Sequence, residues 1–208
     1  MEDAPFKSLQ GQLLIDGNNL AGSFFSRTVV LLCQHSKEGA FGLVLNRSMD
    51  KTVGEMIVED LPERIQDQDL SIGGPVQGQA MSFLHSDDYL PDANVIPNLN
   101  LEHSIDELLE IGNSFSPTSQ VRIFAGYSGW GAGQLEDEMK RNSWLTHSAS
   151  IEHVFAIPPE QLWREGVLEM GGGTRQNRRR PVIFWAARTW YVPLGWPGWR
   201  PGSYERAH

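Results

Sequence analysis

The residues most able to do chemistry lie in GYSGWGAGQLEDE, Gly126 to Glu138, where a strand enters a helix through four glycines. That arrangement exposes backbone N–H groups and is how many proteins cradle phosphates. The details argue against a nucleotide. A dinucleotide fingerprint needs Gly-x-Gly-x-x-Gly, but from Gly129 and Gly131 the third glycine falls on Gln134, and no Lys-Ser/Thr follows to make a P-loop. Glu136, Asp137 and Glu138 would face a bound phosphate with three carboxylates. Gly-x-Ser-x-Gly read from Gly126 fails because Trp130 takes the last glycine's place, which weakens Ser128 as a nucleophile. Two readings of this segment stay open. The glycines serve close strand-to-helix packing with Trp130 covering a core edge, or Tyr127, Trp130, Gly131 and Gln134 with the backbone amides form a ligand or partner surface.

Other reactive types are scattered. In LLCQH, Cys33 and His35 stand at i and i+2, expected on one strand face, where they could bind a metal or pair a nucleophile with a base. A lone cysteine in an apolar strand reads more simply as an inert small hydrophobe. His85 follows a strand. His147 and His153 lie too far apart for the usual zinc spacing, so no metal site is expected. Asn46-Arg47 leaves an apolar strand, and Arg47 could receive a carboxylate or phosphate or pair with local acids.

The elements that must position these groups follow from period and punctuation. Apolar stretches rich in β-branched and aromatic residues at 11–16, 28–35 and 41–47 read as strands, the last two apolar on both faces and so central in a covered sheet. Thr52 and Glu55 make a capping box for a helix over Val53, Met56 and Ile57, stopped by Leu61-Pro62. Strands at 70–73 and 80–85 flank the GGPV turn, where Gly73 and Gly74 permit unusual dihedrals. Ser104 and Glu107 form a second capping box, opening a helix with Ile105, Leu108, Leu109 and Ile111 on one face. A strand at 120–127, a GWGAG turn, the helix QLEDEMKRN, a strand at 151–157 and a helix launched by Pro158-Pro159 and stopped by the glycines at 171–173 complete the chain's body. Strands and helices mix without strict alternation, which points to a mixed sheet with helices on its faces.

Composition bounds the rest. The chain has 208 residues, 40% apolar and 21% charged, enough for one domain with a real core. One cysteine permits no intrachain disulfide, the opening MEDAPFKSLQG lacks the features of a secretory signal, and no apolar run reaches membrane-span length, so a cytoplasmic protein is expected. Charge is uneven. Residues 1–174 carry 10 Lys+Arg against 25 Asp+Glu, while residues 175–208 carry seven Arg against Glu205. The acidic body opposes direct nucleic-acid binding. The division expected is a domain over 1–174 and a basic, Trp- and Pro-rich tail over 175–208 that either docks loosely, binds an acidic partner or membrane surface, or is foreign to the domain.

The ordered strings GQLLI (11–15), FSRTVVLL (25–32), GAFGLVLNR (39–47), GGPV (73–76), LH (84–85) and GYSGWGAGQLEDE (126–138) resemble the bacterial YqgE/AlgH family over about 9–173. The resemblance implies a single α+β domain with a bifurcated, partly barrel-like mixed β-sheet surrounded by helices. Members are widely labelled transcriptional regulators, but the family brings no established reaction, catalytic residues or cofactor to carry over.

The functional expectation is therefore a non-enzymatic regulatory or interaction protein, with no cofactor, binding a small molecule or protein partner through a face carrying Asn46, Arg47, Gly73, Gly74, His85 and the 126–134 loop. An enzyme, a hydrolase using His85 or Ser128 with nearby carboxylates, is the alternative, with general acid–base chemistry as its signature. Direct DNA-binding regulation ranks last, since no helix-turn-helix with a basic recognition helix is visible.

Overall fold

The computed structural model describes residues 6–57, 60–88, 90, 92–114 and 116–171. The tail at 175–208 lies outside the described residues. The three apolar strings form β1 (Gln12–Asp16), β2 (Val29–Ser36) and β3 (Gly39–Val44), joined as an antiparallel meander. Every residue of β3 is buried, because hydrophobic clusters cover both faces of the meander. Leu13, Leu31 and Leu43 point to one cluster; Leu14, Val30, Leu32 and Val44 point to the other, as the two-residue period requires.

Two further antiparallel pairs extend the sheet. β4 (Ser48–Thr52) pairs antiparallel with β5 (Asp69–Ile72), and β6 (Val76–Ser86) pairs with β7 (Leu99–Glu102). The spine is β8 (Gln120–Gly131), twelve residues long. Its first half runs parallel to β5, from Leu70↔Ile123 to Ile72↔Ala125, and antiparallel to β6; its second half pairs with β3, from Gly42↔Ser128 to Gly39↔Gly131. β9 (Trp144–Ser148) closes the other edge of β1. One long strand thus serves two groups of strands, and the sheet branches as expected. Among the described residues it is open, with β4 and β9 at the ends of its main path, so the partly barrel-like expectation gives way to an unclosed sheet of nine strands.

The branch demands glycine. A Cβ on Gly73 would sit 2.2 Å from the Gly126 carbonyl oxygen, and one on Gly74 would sit 2.2 Å from the Tyr127 carbonyl group. Gly126 itself has φ +70°, a left-handed conformation at the point where β8 changes partners. GGPV is therefore a crossing of backbones.

Helices cover the faces: α1 (Glu63–Gln66) and α2 (Ile105–Asn113) one cluster, α3 (Gln134–Lys140) a second, α4 (Ile151–Phe155) and α5 (Pro159–Gly171) the third. Four expectations change. The Thr52 and Glu55 capping box forms, but it opens only a 3₁₀ turn over Val53–Glu55, leaving Met56 exposed. Ser104 caps α2 by position without a side-chain hydrogen bond. Of the GWGAG turn at 129–133, Gly129 to Gly131 continue β8, and only Ala132 and Gly133 turn into α3. Residues 151–157 are not a strand: Ser150 Oγ accepts from the His153 N–H, and Ile151, Val154 and Phe155 fall at helical spacing against the core. The mistaken strand came from a short apolar run whose period alone cannot separate strand from helix.

Candidate functional site

The 126–138 segment is sealed from within. Trp130 is 3% exposed, stacked on Phe25 and edge-on to Trp144. Its indole Nε1–H donates to Glu138 Oε2 at 2.9 Å, and the Trp144 indole donates to the same oxygen at 2.8 Å. One carboxylate of α3 thus satisfies two buried indoles, which explains the acidic helix start better than a ligand would. Gln134 accepts from the Gly131 N–H at 3.1 Å and donates to Glu138 at 3.2 Å, so both its polar ends are engaged. Tyr127 is buried and stacked on Phe41 with centroids 5.0 Å apart. Ser128 is fully buried, and its hydroxyl donates to the Gly73 carbonyl at 3.1 Å.

The other singled-out residues are also engaged. Asn46 Oδ1 accepts from the Val29 N–H at 2.9 Å while its Nδ2 donates to the Arg27 carbonyl at 2.8 Å, and Arg47 donates to the Ser26 carbonyl at 2.7 Å. Both clamp the loop before β2. The structure does bring three of the strings together at the backbone: Val44 N–H donates to Gly73 O, Gly73 N–H to Ala125 O and Ile72 N–H to Arg47 O, at 2.8 to 2.9 Å. His85 stands apart, opposite Val121 on the distal half of β8.

Cys33 and His35 do not share a face. The pairing of β2 with β3 slips between Leu32 and Gln34, a bulge that takes in Cys33 as an extra residue. Cys33 stays in the cluster of Leu31, with its thiol pushed far up by burial, while His35 turns the other way to meet Glu136 at 3.0 Å and the Leu9 N–H at 2.8 Å. Neither a metal pair nor a nucleophile–base pair forms there.

What remains open is a cleft of about 460 Å³ beside the branch, lined among others by Ser48, Asp67, Asp69, Ser71, Arg122 and Pro159. Ser48 follows Asn46-Arg47, Ser71 precedes GGPV by two residues, and Arg122 precedes the glycine string on β8; the family strings border the cleft without entering it. Arg122 ties three elements together. Its Nη1 donates to Val154 O at 2.9 Å, Nη2 to Leu45 O at 2.5 Å, and Nε and Nη2 both reach Ser71 Oγ at 3.3 Å. These bonds occupy four of the five guanidinium N–H groups, leaving one on Nη1 without an acceptor among the described residues. No carboxylate lies within ion-pair distance of Arg122 among the described residues, and burial lowers its pKa to about 10. Sequence reasoning passed over it. The signal was there: one charged residue inside the apolar run VRIFA, on a strand otherwise buried.

A second electrostatic cluster sits on β7 and α2. Glu102 is raised to about 7, by burial first and then by a hydrogen bond to Glu107 and that residue's charge. Burial lowers His85 and His103, against the pull of Glu107. None of the four lines the Arg122 cleft. Elsewhere, donor atoms of His147, His153 and Glu169 lie within 4.8 Å of one another.

Residues 13–175 match the family model described as AlgH-like. A UPF0301 protein of Chlorobaculum parvum is 40% identical over 176 residues, 82% of this chain and 91% of the relative; one from Shewanella denitrificans is 39% identical over 170 residues, 79% and 92%. The solution structure of AlgH from Pseudomonas aeruginosa superposes with a TM-score of 0.67 at 32% identity, covering 82% of this chain and 93% of that one. The crystal structure of protein DIP2367 from Corynebacterium diphtheriae, TM-score 0.65 at 22% identity, covers 80% of this chain and 90% of that one and shares the fold.

Proposed function

From the premise that the chain belongs to the AlgH-like family, we propose that it is a non-enzymatic binding protein whose ligand is a small anion, a carboxylate or phosphate ester, received by Arg122 in the cleft beside the sheet branch. One observation carries the reading: a desolvated guanidinium, set against the Phe124 ring, lines a cleft with one N–H unbonded and no carboxylate counter-ion among the described residues. An uncompensated charge of this kind is costly, and an anion entering the cleft would offset that cost with a charge-assisted hydrogen bond. Asp67 and Asp69 on the lining restrict the choice. They repel extended polyanions and favour a small ligand that also carries hydrogen-bond donors, such as an amino or hydroxy acid.

A regulatory role then runs through ligand occupancy, and not through DNA. Residues 1–174 hold 25 acids against 10 basic residues, too few cations to release phosphate counter-ions. An enzymatic reading has less support: the Ser128 hydroxyl is fully buried and committed to Gly73, and His85 lies outside the cleft.

Thermal unfolding of the full chain with inorganic phosphate, citrate or serine, at ionic strength held constant with chloride, tests the proposal. A saturable rise in Tm is expected for at least one, approaching the equivalent of roughly 2.7 kcal/mol at a hundredfold excess over Kd. Ser48→Trp, which fills the cleft mouth from an exposed position and keeps Arg122, should abolish the rise. A rise that survives Ser48→Trp, or none beyond the chloride control with any anion, would overturn it.

A further inference from the structure

We propose that His147, His153 and Glu169 form a binding site for a single first-row divalent metal ion of the zinc class, independent of the Arg122 cleft. The three come from three elements, β9, α4 and α5, and their donor atoms converge within 4.8 Å. Sequence spacing hid the site. Residues 147 and 153 fit no local ligand motif, but the chain turns from an edge strand into α4 between them and brings the rings to 5.5 Å.

The hydrogen bonds around His147 leave its Nε2 available to a cation, and those around His153 can be rearranged to do the same. His147 Nδ1 lies 2.9 Å from the Ser148 carbonyl oxygen, which can only accept, so Nδ1 carries the proton. On the neutral ring Nε2 then presents a lone pair toward Glu169 Oε2 at 3.6 Å. A proton on Nε2 or a metal ion can join these two acceptors, and the metal would engage both the ring and the carboxylate. A ligating histidine backed by Nδ1–H to a carbonyl is how proteins fix the tautomer that binds metal.

His153 reaches the same Glu169 oxygen with Nε2 at 3.3 Å. Its Nδ1 meets the Ser150 hydroxyl at 2.6 Å and the Ser150 N–H at 3.1 Å. With a metal on Nε2, the ring proton moves to Nδ1, where Ser150 Oγ accepts it; the ring gives up the bond from the Ser150 backbone N–H in exchange. Two imidazoles and one carboxylate suit zinc and its neighbours and do not suit calcium or magnesium. His147 and Glu169 side chains are 35% and 44% exposed, which leaves the remaining coordination positions to water or a ligand. Bound metal would pin the C-terminal end of α5 to the edge strand.

The test uses the full chain, stripped by chelator and titrated with Zn²⁺ against a chromophoric competitor, with Co²⁺ absorption as the second readout. One equivalent should bind, with visible cobalt bands of a low-coordinate nitrogen–oxygen site. His147→Ala and Glu169→Gln, both at partly or well exposed positions, should each weaken binding at least tenfold and remove the zinc-dependent rise in Tm while leaving the metal-free Tm nearly unchanged. Absence of stoichiometric binding in the parent chain, or parent-like affinity in either variant, would overturn the site.

Discussion

Two neighbouring parts of β8 treat polar groups in opposite ways. At its C-terminal end, Trp130, Gln134 and Glu138 answer one another, with both indoles and the Gly131 N–H bonded inside the protein. Near its start, Arg122 meets carbonyls, a hydroxyl and the Phe124 ring, and no carboxylate pairs with it among the described residues. The first region carries the unusual sequence strings; the second carries a single inconspicuous arginine. The difference teaches that rare strings mark tight construction here: glycines where backbones cross, and a carboxylate placed to serve two buried tryptophans. The proposed binding capacity lies where the construction leaves a charge without a carboxylate partner among the described residues.

The contrast can be broken by substitution. Trp130→Ala removes a 3%-exposed indole from a cluster with Phe25 and Trp144 and should cost about 3 to 5 kcal/mol, read from urea unfolding. A near-neutral result would mean that Trp130 is a surface group and would revive the 126–134 loop as a recognition face. Arg122→Met should cost less, roughly 2 to 3 kcal/mol, because it orphans the Leu45 and Val154 carbonyls while relieving an uncompensated charge. A stabilised Arg122→Met that still answers to anions would separate the cleft from the arginine.

The smallest effect sharpens the comparison from a third place. Glu102 is raised in the fold from 4.5 to about 7, so the folded state holds a proton that the unfolded chain has already lost. That contribution is complete below the unfolded value and disappears as pH rises through about 7, so stability should fall across this window. Glu102→Gln should flatten the fall, by on the order of 1 kcal/mol between pH 5 and 8 after screening at this part-exposed site. Equal differences between variant and parent at both pH values would show that Glu102 is not the group responsible.

The sequence was most informative where period and glycine punctuation agree. The strands around Leu14, Leu31 and Leu43 follow from apolar runs, while the branch was implied by the family resemblance and its need for glycine at 73, 74 and 126 emerges only in three dimensions. The polar edge strands β4 and β9 carry little apolar signal and were invisible. Ile151 to Phe155 misled because five apolar-leaning residues suit either period, and Ser150 decides for helix only once it caps. The Cys33 bulge reversed the facing of His35, a one-residue slip that no local pattern announces. Arg122, and the convergence of His147, His153 and Glu169, depend on contacts between distant segments, so neither site has a linear motif.

The most direct measurement of the central claim follows both regions at once. Nitrogen-15 NMR of the full chain, titrated with the anion that raises Tm most, resolves the Arg122 Nε–H together with the indole N–H signals of Trp130 and Trp144. The Arg122 signal and the amides of Ser71 and Val154 should shift saturably with one Kd, while both indole signals stay in place. Saturable movement of the indoles and the 126–134 amides, with Arg122 unmoved, would contradict the account and place recognition on the glycine strand.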